Sequence, residues 1–148
     1  EPTLLRPYQI VARDFLQERK SAALFLDMGL GKTAVALCAL EEHRLPVLVV
    51  APKRVAEEVW PEEVSIWRPD LDIAVAAGTP AQRRAALDSG ADIVAIGRDN
   101  LKDLGAKDVK RFRHVILDEL SSFKGRDTLR WKTMKRFLAV GGAGCWGL

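Results

Sequence analysis

The chain has 148 residues, 48% hydrophobic and 29% charged, which suits one domain with a sizeable core. No run approaches the roughly 18 apolar residues of a membrane-spanning helix, and no basic-then-apolar signal opens the chain, so a membrane protein is not expected. Cys38 and Cys145 form no C-x-x-C pair and stand near no His cluster, which points away from a disulfide framework and from zinc. The net charge of +3 is unevenly spread, with 11 basic and 14 acidic residues up to Gly97 against 12 basic and 6 acidic from Arg98 onward. The second part therefore offers a surface that a polyanion could use.

In chain order, Leu4 to Gln9 reads LLRPYQ, and Pro7 suits the first turn of a helix whose apolar positions Ile10, Val11, Phe15 and Leu16 recur at helical spacing. Ala22 to Leu26 (AALFL) reads as a buried parallel strand, and Ala34 to Leu40 (AVALCAL) as a helix that runs on to near His43. Val47 to Ala51 (VLVVA) is a second buried strand between two prolines. Pro52 to Trp67 reads as a helix carrying Ala56, Val59, Trp60, Val64 and Trp67 on one face, kinked or restarted at Pro61. Its two tryptophans are assigned to the core rather than to base stacking. Leu71 to Ala77 is a third strand, turned at Gly78-Thr79-Pro80 into a short helix bearing Arg83 and Arg84, and Ala91 to Gly97 is a fourth. Arg98 to Lys110 reads as a polar helical connection. His114 to Asp118 is a fifth strand, Arg126 to Ala139 a basic helix, and Cys145 to Leu148 the beginning of a last strand. Strands alternate with helices, which predicts an α/β domain with a parallel sheet covered on both faces and all strand-to-helix loops along one edge.

Two stretches on that edge carry chemistry. Leu26 to Thr33 reads LDMGLGKT, a glycine-rich turn between strand and helix that ends in Gly-Lys-Thr. Gly29 and Gly31 leave room for a phosphate to approach backbone amides, Lys32 reaches the β- and γ-phosphates, and the Thr33 hydroxyl serves Mg²⁺. The full G-x-x-x-x-G-K-[ST] pattern has glycine where Leu26 stands, so the match is to the shorter G-x-G-K-T form. The second stretch is Asp118-Glu119, two carboxylates that end an apolar strand. A nucleoside triphosphatase needs a phosphate cradle, a metal ligand and a group that activates water. Asp118 is assigned to Mg²⁺, through water, and Glu119 to the role of general base.

Together LRPYQ, LDMGLGKT, VLVVAPKRVAEEVW and VILDELSSFK resemble, in order, the Q motif and motifs one, one-a and two of Swi/Snf-type members of helicase superfamily two, the phage-encoded branch in particular. The resemblance implies a RecA-like, P-loop three-layer sandwich with a mainly parallel sheet. Residues 1–148 would form a single amino-terminal ATP-binding lobe of a double-stranded DNA translocase. It also implies that Arg6 and Gln9 belong to the nucleotide site, Gln9 reading the adenine edge, with Met28, Gly29, Leu30, Gly31, Lys32 and Thr33 as the phosphate loop. Pro52, Lys53, Arg54, Gly78, Thr79, Arg98 and Asn100 match segments that touch the nucleic-acid backbone in such lobes. Leu120-Ser121 stands where relatives have Ala-His or Gly-His, and Lys124 matches a lysine a few residues later.

The expected function is thus binding and hydrolysis of Mg-ATP by a DNA-dependent ATPase, in the cytoplasm of a bacterial or phage-infected cell or in a nucleus. A second RecA-like lobe with its arginine finger and a Thr-Gly-Thr-Pro-like motif is expected beyond Leu148, and the 148 residues alone are expected to be nearly inactive. The competing reading is a non-catalytic module that holds nucleotide or DNA. Lys32, Thr33, Asp118 and Glu119 are all present, which favours the enzyme.

Overall fold

The computed structural model describes residues 5–23, 31–118 and 144–148. The chain opens on helix α1 (Pro7–Gln17), followed by strand β1 (Ser21–Ala23), helix α2 (Lys32–Ala39) and strand β2 (Val47–Ala51). Then come helix α3 (Trp60–Trp67), strand β3 (Ile73–Ala76), helix α4 (Pro80–Leu87) and strand β4 (Ile93–Gly97). Helix α5 (Ala106–Arg111), strand β5 (His114–Leu117) and strand β6 (Gly144–Gly147) complete the described elements. All six strands are parallel, in the order β1-β6-β5-β2-β4-β3.

The side-chain period of two sorts the sheet residues onto its two faces. Val47, Val49 and Ala51 of β2 join Ile93, Ala95, Ile116 and Trp146 in a core closed by Ala12 and Leu16 of α1, Val35 and Ala36 of α2, and Trp60 and Val64 of α3. Leu48 and Val50 point the other way, with Val94, Ile96, Val115 and Leu117, against Leu87 of α4 and Leu101, Leu104 and Phe112. Helices thus cover both faces, as the unbroken apolar strands require. This is a RecA-like architecture.

Several local readings shift. The helix after the phosphate loop ends at Ala39, because buried Leu40 turns extended, and His43 falls instead in a 3-10 turn, Glu42–Arg44. A new α-helical stretch, α3, starts at Trp60 with Pro61 in its first turn, where a residue without an N–H loses no hydrogen bond, in keeping with a restart at that proline. A π-helical turn, Val55–Val59, precedes it, and the Trp60 backbone N–H bonds the carbonyl of Val55, five residues back. Val59 is left exposed while Ala56, Trp60 and Val64 stay buried. The polar connection after β4 is a 3-10 turn, Arg98–Asp103, before α5. Residues 24–26 of the first expected strand and the expected helix Arg126 to Ala139 lie outside the described residues.

Candidate nucleotide and nucleic-acid site

Because the strands are parallel, the loops that follow them share one edge of the sheet. Gly31 caps α2. Gly31 has φ 72°, left-handed backbone that glycine adopts at little cost. Its carbonyl accepts the Val35 N–H at 3.0 Å, so Lys32 and Thr33 form the first turn of α2, where helix amides lack intrahelical partners and attract anions. Both side chains are half-buried.

Pro7 starts α1, and the Arg6 backbone N–H donates to Gln9 Oε1 across 2.8 Å, which fixes the Gln9 amide. That amide is buried, and its Nε2 occupies the space that a Cβ on Gly31 would need. The structure therefore brings the expected adenine-reading residue against the last glycine of the expected phosphate cradle. Met28, Gly29 and Leu30 of the cradle, and Glu119, lie outside the described residues.

Asp118 follows β5 directly. Its N–H donates to the Val50 carbonyl at 2.8 Å, its side chain is 6% exposed, and its Oδ2 accepts the indole N–H of Trp60 at 2.9 Å. Strand β6 separates β1 from β5, so the two strand ends stand about 10 Å apart, twice the usual inter-strand spacing. Among the described residues no group of three or more His, Cys, Asp or Glu could hold a metal alone. The bond between Trp60 and Asp118 goes beyond the sequence pattern, which assigns Trp60 only to the core. A signal exists, since a buried indole N–H usually needs an acceptor.

The other half of the edge carries the residues matched to nucleic-acid contacts. Pro52, Lys53 and Arg54 follow β2, with Lys53 and Arg54 exposed and Arg54 loosely paired with Glu58 at 3.6 Å. Gly97, at the end of neighbouring β4, lies so close that its Cβ would sit 3.5 Å from Lys53 Cα and 3.8 Å from Asn100 Nδ2. Arg98 and Asn100 are half-buried beside them. After β3, Gly78 takes φ 88° and Thr79 caps α4 reciprocally with Gln82, the Thr79 N–H donating at 2.8 Å and Thr79 Oγ1 accepting at 3.2 Å. Arg83 donates to the Gly78 carbonyl at 2.7 Å and pairs with Asp103, tying the loop after β3 to the turn after β4. The order along the sheet thus splits the edge: β1 and β5, with β6 between them, precede the residues expected at the nucleotide, and β2, β4 and β3 precede those matched to nucleic acid.

A wholly parallel sheet with helices on both faces, a buried aspartate after β5 and a glycine-capped helix α2 define an α/β domain of the RecA-like type. Residues 8–140 match the model of the SNF2-related domain, and the chain belongs to that family. It is 35% identical over 130 residues to putative protein p41 of Acyrthosiphon pisum secondary endosymbiont phage 1, covering 80% of this chain and 28% of that one. To the ISWI chromatin-remodeling complex ATPase ISW1 of Saccharomyces cerevisiae it is 26% identical, covering 90% of this chain and 13% of that one. Among solved structures, the Sulfolobus solfataricus SWI2/SNF2 ATPase core in complex with dsDNA matches with a TM-score of 0.79 and 25% identity, over 98% of this chain and 31% of that one. The chain thus spans less than a third of the length of these relatives, in the part that forms the first lobe of a Swi/Snf-type ATPase. No helix among the described residues is long and apolar enough to cross a membrane.

Proposed function

We propose that this chain is the ATP-binding lobe of a DNA-dependent translocase, which binds Mg-ATP on one half of its sheet edge and the backbone of double-stranded DNA on the other. The observation that carries the reading is the Gln9 amide seated against Gly31 at the start of α2, on the same edge as buried Asp118. In this reading Arg6 and Gln9 flank the adenine, while the amides of Gly29 and Gly31 and the Lys32 ammonium hold the phosphates. Met28 and Leu30 complete the loop. Thr33, and Asp118 through water, would hold Mg²⁺, which would supply neutralisation of phosphate charge. Glu119, next to Asp118 in sequence, takes the proton of the attacking water. Lys53, Arg54, Arg98 and Asn100, with the Gly78-Thr79 loop, contact phosphates and so position DNA without reading its sequence. The rest of the active enzyme, including a second RecA-like lobe with an arginine finger, would come from the same polypeptide.

Calorimetric titration with ADP and with GDP in the presence of Mg²⁺ tests the nucleotide assignment. ADP should bind and GDP should bind markedly more weakly, and Lys32→Ala should abolish ADP binding without altering the circular dichroism spectrum. Equal affinity for ADP and GDP would remove the role given to Gln9. Undiminished binding by Lys32→Ala would remove the site itself.

A further inference from the structure

The two halves of the edge are joined by one side chain. Trp60 is fully buried on the helical segment that begins beside Lys53 and Arg54, and it donates its indole N–H to Asp118 Oδ2 across 2.9 Å. The partners are 58 residues apart in sequence. The bond to a buried carboxylate is charge-assisted, stronger and more directional than a neutral one. It holds one Asp118 oxygen and thereby orients the other, while the Asp118 N–H is anchored to Val50 on the strand that leads into the same helix.

We propose that Trp60 is a positioning residue for the ATPase site, orienting Asp118 toward the metal and transmitting to it any movement of the segment that carries Lys53 and Arg54. The inference rests on the function proposed above and adds a route by which DNA engagement reaches the nucleotide. The π-helical turn Val55–Val59 lies between Arg54 and Trp60 and places the indole, since the Trp60 N–H closes the five-residue hydrogen bond to Val55. π turns are wider and less regular than α turns and are frequent at functional sites. A displacement at Lys53 or Arg54 would pass through this turn before it reached Trp60.

The test uses the full-length protein that contains this lobe, with Mg²⁺, ATP and duplex DNA. Trp60→Phe keeps an aromatic ring and removes the N–H, whereas Trp60→Tyr offers a hydroxyl donor instead. In Trp60→Phe the Mg²⁺ concentration for half-maximal ATP turnover should rise about tenfold, the scale of one hydrogen bond to a charged group. The stimulation of turnover by DNA should collapse, with DNA affinity held within about twofold, the scatter expected of a neutral change. Trp60→Tyr should recover part of both. A purely structural role would lower thermal stability and leave the Mg²⁺ requirement and the stimulation ratio of the surviving enzyme unchanged, and that result overturns the proposal.

Should both variants fail to fold, the wild-type protein labelled with ¹⁵N-tryptophan decides. One indole N–H resonance should broaden strongly on adding Mn²⁺-nucleotide and shift on adding DNA alone. If no indole resonance responds to both, the proposal fails. Wild-type protein that binds no nucleotide at all would instead remove the underlying functional reading.

Discussion

The side-chain amide of Gln9 lies where a Cβ on Gly31 would have to go, and Gly31 caps α2 with φ 72°. One contact thus joins the first helix of the chain to the turn that presents Lys32 and Thr33.

Gly31→Ala should therefore harm the protein twice, through left-handed backbone that costs a side chain about 1 kcal/mol or more, and through collision with Gln9. Its melting temperature should fall and ADP binding should be lost. The double variant Gly31→Ala/Gln9→Ala should regain part of the stability and none of the binding. Equal melting temperatures for the single and double variants would show that the contact is not tight.

DNA binding should be independent of sequence and steeply salt-dependent, because the assigned contacts are to phosphates. Lys53→Glu or Arg54→Glu should weaken it and lower the slope of log affinity against log salt by about 0.9 for each phosphate that is no longer neutralised. Arg130 and Lys135, which lie outside the described residues, serve as comparison sites on the basic segment. Weaker binding on changing these two, with no effect at Lys53 or Arg54, would move the DNA track off the β2 and β4 loops.

Hydrolysis should separate this chain from the longer enzyme. An arginine finger is worth about 10³ to 10⁵ in rate, and this lobe is assigned a metal site and a base but not that group. Residues 1–148 alone should turn over ATP near background with or without DNA. In the longer enzyme Glu119→Gln should retain ATP binding and lose turnover, since the amide cannot accept the water's proton. Full activity in Glu119→Gln, measured by phosphate release, would assign the base elsewhere.

Stability should fall in mild acid through His114. Its imidazole is buried at the start of β5, edge-on to the Trp146 ring at 4.3 Å, and among the described residues its Nε2 has no hydrogen-bond partner. Burial, reinforced by Arg44 and His43 nearby, lowers its pKa from 6.5 to about 3. The folded state thus holds the neutral ring, and the unfolded chain binds a proton that the folded chain refuses. Stability from this group is complete above about pH 6.5 and declines as the pH falls toward 3, by about 1.4 kcal/mol per unit. Urea midpoints at about pH 7.5 and about pH 5 should differ accordingly, and His114→Phe should flatten the difference. An unchanged slope in that variant would assign the acid sensitivity to other groups.

Much of this protein is legible in the order of its residues. Runs such as VLVVA and the VIL that follows His114 mark strands buried on both faces, and their alternation with helical patterns leads to a parallel sheet and a shared loop edge. The Gly-Lys-Thr string and the aspartate that follows β5 are likewise local in sequence, because a helix cap and a strand-end carboxylate are set by neighbouring residues. What lies beyond local pattern is the pairing of distant parts. That β6 inserts between β1 and β5, which sets the gap between the ends of those two strands, follows from how six strands pack together. The π-helical turn before Pro61 escapes the sequence pattern because periodicity registers a break and not the hydrogen bond from Trp60 to Val55 that spans it. The meeting of Gln9 with Gly31, and of Trp60 with Asp118, required the folded core, because the helices that carry them are placed by burial, which is non-directional and leaves no short-range mark on the sequence.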